Sequence, residues 1–338
     1  MTDTRSNDTP SVVERTRPLA AGAPVVAAYF LGPAAAFVLG EEAVLMVPPT
    51  GEPLRVAMHG GGILCAAADG ARLVTGGDDG KVVTADATGA TTVIATDPKH
   101  RWIDHVALGP GGAIAWSAGR EAFVRSGGAK PAEAAREVAS TVGALAFAPK
   151  GLRLAIAHYN GATLWFPNAK VKPEQVEWKG SHLGASFSPD GRFLVTSMQE
   201  PTLHGWRLAD RKDMRMSGYA ARVRSLDWTA DGKWLATSGS TQLILWPFHG
   251  KDGPMGKTPQ LLAPTEEQVT VVACHPVQPV VAVGYADGLV LLVRTGDGAE
   301  VLAKNPGEAP TTALAWSADG RVLAFGTEAG EVGIIDLG

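Results

Sequence analysis

The stretch Leu226-Asp-Trp-Thr-Ala-Asp-Gly-Lys-Trp-Leu-Ala-Thr237 decides the fold, because close copies of it recur along the chain. The clearest are Ala185-Ser-Phe-Ser-Pro-Asp-Gly-Arg-Phe-Leu-Val-Thr196 and Leu314-Ala-Trp-Ser-Ala-Asp-Gly-Arg-Val-Leu-Ala-Phe325. Copies return about every 41 residues, eight times in all. A fixed period of this length predicts a repeat architecture, in which each unit buries its apolar surface against its neighbours.

The copies share a register, set by the residue four positions before the turn glycine, which is usually aromatic. We call this residue the anchor of its copy. The eight anchors, which number copies 1 to 8, are Phe30, Ala66, Leu108, Phe147, Phe187, Trp228, Cys274 and Trp316.

Each copy predicts four short strands. A turn such as Ser188-Pro-Asp-Gly191 follows the first strand, because Pro presets φ, Asp bonds its own backbone and Gly supplies positive φ. A second strand such as Leu194-Val-Thr196 and a second turn such as Asn160-Gly161 come next. The third strand ends at a residue such as Trp246, and a weaker apolar-polar stretch supplies the outer strand. Four antiparallel strands per unit indicate the blade of a β-propeller.

With its Pro-Asp-Gly turns, small-residue second strands, Asp-Gly turns and terminal Trp, the chain resembles the WD40-repeat family over residues 25–337. The resemblance implies an all-β fold, and the eight copies predict an eight-bladed WD40-like β-propeller. Seven blades remain an alternative, with the first copy outside the ring. Two signatures are missing, the terminal Trp-Asp and the Gly-His before the first strand. We therefore expect the buried Asp–His–Ser–Trp network of the family to be absent.

The chain ends after the third strand of copy 8, so the missing outer strand has to come from elsewhere. The stretch Val12-Val-Glu-Arg-Thr-Arg-Pro-Leu19 precedes copy 1 at the right distance, and we expect it to complete the last blade. Such closure removes exposed sheet edges. By composition, residues 1–10 are predicted to be a disordered tail and residues 11–338 a single propeller domain.

Composition restricts the classes of function. A net charge of −4 argues against general nucleic-acid binding. The N-terminus lacks the apolar core of a signal peptide. The sequence contains no run of 18 apolar residues, so we expect no membrane span. Two cysteines, Cys65 and Cys274, are predicted to be unpaired, which fits a cytoplasmic protein. The alanine- and glycine-rich chain is compatible with a bacterial source, and we expect a monomer.

The inner strands offer little chemistry. Asp104, His105 and Asp227 are their main reactive groups, and no neighbouring copies contribute the paired carboxylates of a glycosidase. The eight histidines lack a recognised zinc-ligand spacing. We therefore expect no catalytic residues, metal or cofactor, and a non-enzymatic scaffold that binds other proteins. Two alternatives remain open: a propeller hydrolase or lyase, and a metal- or ligand-handling accessory protein.

The resemblance also implies where a partner binds. In the family, partners use the face formed by loops that lead into the first strands and by turns between second and third strands, with the adjoining channel mouth. Aromatic and arginine side chains are enriched at binding hot spots. The predicted partner-binding residues are Lys99, His100, Arg101, Trp102, Arg120, His158, Tyr159, Tyr219, Arg222 and Tyr285. Basic residues gather in copies 3 and 6 and acidic ones, such as Glu266, Glu267 and Glu328, in copies 7 and 8. This predicts an acidic or mixed-charge protein or peptide partner.

Overall fold

The computed structural model describes residues 11–338. Residues 1–10, predicted to be a disordered tail, lie outside the described residues. Strands dominate the described part, and its two helices are single 3₁₀ turns at Val13–Arg15 and Pro110–Gly112. Within residues 11–338, no helix is long and apolar enough to cross a membrane.

Thirty strands follow one another within residues 11–338. In order they are β1 Thr16–Ala20, β2 Val25–Leu31, β3 Ala34–Leu39, β4 Ala43–Val47, β5 Leu54–Ala57, β6 Ile63–Ala68, β7 Arg72–Gly77, β8 Lys81–Asp86, β9 Thr91–Thr96, β10 His105–Gly109, β11 Ala113–Ala118, β12 Glu121–Arg125, β13 Glu133–Glu137, β14 Ala144–Phe147, β15 Leu154–Trp165, β16 Glu174–Phe187, β17 Phe193–Met198, β18 Leu203–Arg207, β19 Lys212–Met216, β20 Leu226–Trp228, β21 Trp234–Thr237, β22 Leu243–Pro247, β23 Gln260–Leu262, β24 Val269–Cys274, β25 Val280–Tyr285, β26 Val290–Arg294, β27 Glu300–Lys304, β28 Thr311–Trp316, β29 Val322–Thr327 and β30 Glu331–Asp336.

These strands form seven antiparallel sheets arranged as a propeller. In chain order the sheets are sheet 1 (β2–β5), sheet 2 (β6–β9), sheet 3 (β10–β13), sheet 4 (β14–β19), sheet 5 (β20–β23), sheet 6 (β24–β27) and sheet 7 (β28–β30 with β1). Six of them have four strands and sheet 4 has six. The inner strands pack against one another in chain order, and β28 packs on β2 to close the ring.

The prediction of eight blades is therefore wrong, and the seven-blade alternative gives the right number for a different reason. Copy 1 is not outside the ring, because β2–β5 form a regular sheet. Instead, copies 4 and 5 share the six-stranded sheet 4. The cause is two long strands, β15 of 12 residues and β16 of 14, that continue where the repeat predicts breaks.

The first of these missing breaks falls at the predicted turn Asn160-Gly161. Both residues have positive φ, 69° and 135°, yet they lie inside β15, where the pairing with β16 only shifts register between Tyr159 and Gly161. A Cβ on Gly161 would lie 2.1 Å from the carbonyl oxygen of Val176. Glycine thus lets the two chains approach closely enough to keep hydrogen bonding continuous.

The predicted N-terminal closure is confirmed. β1 pairs antiparallel with β30, from Thr16 opposite Ile335 to Ala20 opposite Glu331. The strand is shorter than predicted, because Val13–Arg15 form a 3₁₀ turn. Arg17 also donates hydrogen bonds to the carbonyl oxygens of Pro48 and Gly51, so the strand is tied to sheet 1 as well.

The hydrophobic core is divided into layers between consecutive copies. One layer packs Ala324 and Val332 of sheet 7 against Val25 and Phe37 of sheet 1. Another lies inside sheet 4, where Leu164 of copy 4 and Trp206 of copy 5 belong to one buried cluster. The two halves of the six-stranded sheet therefore face each other across their own core layer.

One anchor of the repeat needs correction. In most other copies the anchor pairs with the second residue of the second strand, as Phe187 pairs with Leu194. In copy 2 the residue that pairs with Leu73 is Ala68, not Ala66. The sequence alignment placed the anchor four residues before Gly70, but the turn in this copy is two residues shorter than in copy 5.

Candidate functional site

The candidate site lies at one end of the central channel. The loop face is defined here as the loops that lead into the inner strands and the turns between second and third strands. A cavity of about 980 Å³, the mouth cavity, opens there and is lined by parts of sheets 5, 6, 7 and 1. Its size falls in the range typical of ligand pockets.

A β-bulge shapes the inner strands of five copies at this end. Each bulge adds one unpaired residue at the top of the strand, and the residues are Val26, Leu64, Leu183, Thr270 and Thr312. Bulges of this kind redirect side chains beside functional sites. Every bulged residue stands four positions before the anchor, once Ala68 is taken as the anchor of copy 2.

The bulged side chains divide into two groups. Thr270 and Thr312 donate hydrogen bonds to carbonyl oxygens of the next inner strand, Thr311 and Val25 respectively, and so join sheets to one another. Val26, Leu64 and Leu183 instead remain exposed, with 51%, 42% and 37% of their surface accessible. The second group gives the loop face apolar side chains around the channel.

The mouth cavity carries unbalanced charge. Arg222 and Arg224 line it from the segment before β20, and Glu328 lines it from the turn of sheet 7. Arg222 donates a hydrogen bond of 3.3 Å to the Gln199 side-chain oxygen. Among residues 11–338 neither arginine has an acidic partner within 4 Å. The cavity is therefore cationic on the copy 6 side and anionic on the copy 8 side.

A hydrogen-bonded loop in copy 3 holds the largest exposed aromatic residue of the loop face. Asp97 accepts hydrogen bonds from the backbone N–H groups of Lys99 and Arg101 and from the Arg101 guanidinium. The guanidinium, above all, lowers the pKa of the Asp97 carboxyl to about 2. Arg101 also pairs with Glu121. Trp102 follows and is 62% exposed.

Four further predicted residues of the loop face are exposed to solvent in the structure. Lys99 and His100 are exposed on the same loop of copy 3. Arg120 is exposed but engaged in an ion pair with Glu137. Tyr159 in copy 4 is 53% exposed, and its backbone N–H donates to Ser140 Oγ.

Three predicted site residues are buried, so their side chains are not accessible to a partner. Tyr285 is fully buried and donates to the carbonyl oxygen of Ala263. His158 is 6% exposed and lies 3.0 Å from Thr163 Oγ1. Tyr219 is 8% exposed, lies 2.9 Å from Thr237 Oγ1 and accepts a hydrogen bond from Trp246. Sequence reasoning placed them in loops and turns, but their side chains point into the core, where polar groups need partners.

Contrary to the expectation that the buried polar network is absent, parts of that network form. In copy 2, His59 donates from Nδ1 to Asp79 at 2.9 Å, and its Nε2 lies 2.8 Å from Thr75 Oγ1. This part of the network forms although His59 precedes its glycine, in the order His-Gly, because its side chain still reaches the second strand.

In copy 6, Tyr219 takes the place of a histidine between Thr237 and Trp246. The hydroxyl group thus makes the same kind of link that His59 makes in copy 2. A search of the sequence for the Gly-His dipeptide alone finds neither His59 nor Tyr219.

A second cavity contains the carboxylate of Asp227. This cavity of about 420 Å³ is lined mainly by apolar residues, with Asp227 as its single acidic lining residue in the described chain. Asp227 accepts hydrogen bonds from the backbone N–H groups of Cys274 and Trp228, and burial raises its pKa to about 6. Asp104 and His105 lie in copy 3, where Asp104 accepts from the N–H of Gly119 and His105 hydrogen-bonds to the carbonyl oxygen of Val142. The three predicted inner-strand groups are thus held by backbone partners.

No group of three or more His, Cys, Asp or Glu side chains that could hold a metal ion occurs within residues 11–338. Both cysteines are free, with Cys274 buried and Cys65 half-buried. Cys65 donates to the carbonyl oxygen of Ile103, which lies just before the next inner strand. The thiols therefore serve packing and inter-sheet contacts.

Comparisons with known proteins agree with this architecture. Residues 212–247 match the family described as WD domain, G-beta repeat, and residues 273–338 match the Anaphase-promoting complex subunit 4 WD40 domain. The structure is similar to that of Ika8, a computationally designed protein, with a TM-score of 0.75 and 15% identity over 94% of this chain and 97% of that one. A chain in the structure of a mitotic checkpoint complex gives a TM-score of 0.63 and 13% identity over 99% and 98%. No similar protein was found among proteins of curated function.

At such identities the structural likeness shows the fold alone. The two family matches, which cover residues 212–247 and 273–338, and the propeller architecture support a WD40-repeat β-propeller protein.

Proposed function

We propose that this protein is a non-enzymatic scaffold that binds a protein or peptide partner on its loop face, around the channel mouth. The observation that carries the proposal is a set of exposed apolar and aromatic side chains on that face: Trp102, Tyr159, Val26, Leu64 and Leu183. Exposed apolar groups cost free energy in water and mark interaction sites when they gather. Aromatic side chains in particular contribute large shares of binding energy.

Two similarities support the proposal. One matching family is described as a subunit of the anaphase-promoting complex, and one similar structure is that of a mitotic checkpoint complex. The first description is that of a WD40 domain in a subunit of a complex, and the second is that of a complex. We propose that this protein also uses the fold as a binding platform. We do not propose that it binds the partners found in those complexes. The two free thiols fit a cytoplasmic location, and we propose that the protein alone is a monomer.

Affinity purification from the native organism, followed by mass spectrometry, tests the proposal. We compare the wild-type protein with a variant that carries Trp102→Ala and Tyr159→Ala. A hot spot contributes about 2 kcal/mol or more, so the double variant should lose a loop-face partner by at least about 30-fold.

Val277→Ala is the matched control, because Val277 is 70% exposed in a turn at the opposite end of the channel. It should recover the same partner as the wild-type protein. A partner retained by the double variant but lost with Val277→Ala would contradict the choice of face.

A further inference from the structure

We propose that the mouth cavity binds an acidic side chain of the partner, held by Arg222 and Arg224. This inference rests on the proposed function and specifies the chemistry of the partner: an extended polypeptide segment with a carboxylate beside an aliphatic residue. The segment lies across the mouth of the channel, from sheet 5 to sheet 1.

The first argument is the free charge of the arginines. Most basic residues of the loop face already have carboxylate partners: Arg101 has Asp97 and Glu121, and Arg120 has Glu137. Arg222 has a long hydrogen bond to a neutral amide. Arg224 is exposed, and within residues 11–338 only its backbone N–H is engaged. Two guanidinium groups without carboxylates at one wall of a concave site favour an anionic ligand.

The second argument is the polarity of the cavity. Glu328 lies on the copy 8 side, opposite in charge to the arginines. Like charges repel, so an acidic group is disfavoured near Glu328 and favoured near Arg222 and Arg224. This difference fixes the direction in which an acidic segment lies.

The third argument concerns the remaining walls. Thr270 and Thr312 already donate their hydroxyl groups to neighbouring strands, so they close the wall without needing a ligand. Val26, which is 51% exposed, offers an apolar surface on the sheet 1 side. An aliphatic residue of the partner is therefore expected there, next to its acidic residue.

A phage-displayed library of random peptides, selected on the wild-type protein, is the probe. We expect the selected peptides to be enriched in Asp or Glu beside an aliphatic residue. A synthetic peptide of the best sequence should bind the Arg224→Glu variant at least about tenfold more weakly, and raised salt should weaken its binding to the wild type. Replacement of the peptide's acidic residue by its amide should abolish most of this difference between wild type and variant.

Lys150→Glu is the matched control, because it makes the same change of net charge in an exposed turn at the other end of the channel. It should leave peptide binding within about twofold, and thermal melts should show that all variants are folded. The inference would be overturned if the selected peptides lacked acidic residues or if no peptide were enriched. It would also be overturned if the peptide bound the Arg224→Glu variant as tightly as the wild type. Suppose that peptides without acidic residues are selected and that they bind the double variant Trp102→Ala and Tyr159→Ala more weakly than the wild type. In that case the inference fails, while the proposed function stands.

Discussion

At the residue scale, unlike side chains make equivalent buried links in different copies. Thr75, Thr196 and Thr237 occupy the same place in their second strands, and each hydroxyl lies against a residue located N-terminal to the anchor of its copy. The partner is His59 in copy 2, His182 in copy 5 and Tyr219 in copy 6. The threonines were visible in the repeat, but their partners lie at variable distances along the chain and were found only in the structure.

Tyr219→Phe tests this link in copy 6. The substitution removes the acceptor of the Trp246 indole N–H, which is then buried without a partner. We expect the free energy of unfolding to fall by about 1 to 3 kcal/mol, measured by urea denaturation. Tyr159→Phe, at an exposed tyrosine, should change it by less than about 0.5 kcal/mol. Equal effects of the two substitutions would contradict a structural role for the Tyr219 hydroxyl.

Asp227 predicts a pH dependence of stability. Its pKa of about 6 in the folded protein lies above the value of about 3.9 for an unfolded aspartate. Between these values the folded protein holds the proton more tightly, so the free energy of unfolding falls as pH rises from about 4 to about 6.

Asp227→Asn should remove this dependence. Relative to the wild type, the variant should gain about 2 to 3 kcal/mol between pH 4 and pH 7, measured by urea denaturation across that range. A difference between the two proteins that does not change with pH would show that burial does not raise the pKa of this carboxyl.

At the scale of the element, β1 and the two long strands of sheet 4 show how far the repeat pattern carries. The outer strand from the N-terminus was predictable, because copy 8 lacks a fourth strand and an unpaired edge is unfavourable. The joining of copies 4 and 5 in one sheet was not predictable from the sequence. Its cause is backbone hydrogen bonding through Asn160 and Gly161, and an Asn-Gly pair by itself indicates a turn.

Deletion of residues 1–20 tests the contribution of β1. Without it, β30 becomes an edge and the hydrogen bonds of Arg17 to sheet 1 are lost. We expect the melting temperature to fall by about 5 °C or more, measured by circular dichroism. Deletion of residues 1–10 alone is the control and should leave the melting temperature unchanged. An equal result for both deletions would show that β1 adds nothing to stability.

At the scale of the whole molecule, the ring is closed by contacts between residues that are about as far apart in sequence as the chain allows. Thr312 donates to the carbonyl oxygen of Val25, and Gly326 lies so close to Val25 that an added Cβ would be 2.5 Å from Val25 Cγ1. These contacts unite the first and last sheets, which also share a core layer.

Gly326→Ala should strain this closure. Overpacking of a dense core costs about 1 to 3 kcal/mol, and the loss should appear in the free energy of unfolding from urea denaturation. A second substitution, Val25→Ala, makes room for the new methyl group and should recover part of the loss. If the double variant loses the sum of the two single effects, the strain does not arise at the junction between the first and last sheets.

The sequence by itself determined the repeat, the four-stranded unit and the closing strand, because turns and alternation of apolar residues act over short distances along the chain. It also indicated the loop face, through residues such as Trp102 and Tyr159, which the structure leaves exposed. Only the tertiary structure decided that copies 4 and 5 share a sheet and that Tyr219 and Tyr285 are buried. It also decided that Arg224 has no carboxylate partner in the described part of the chain. Those outcomes depend on the distance between chain segments that are remote in sequence, and local pattern does not encode such distances.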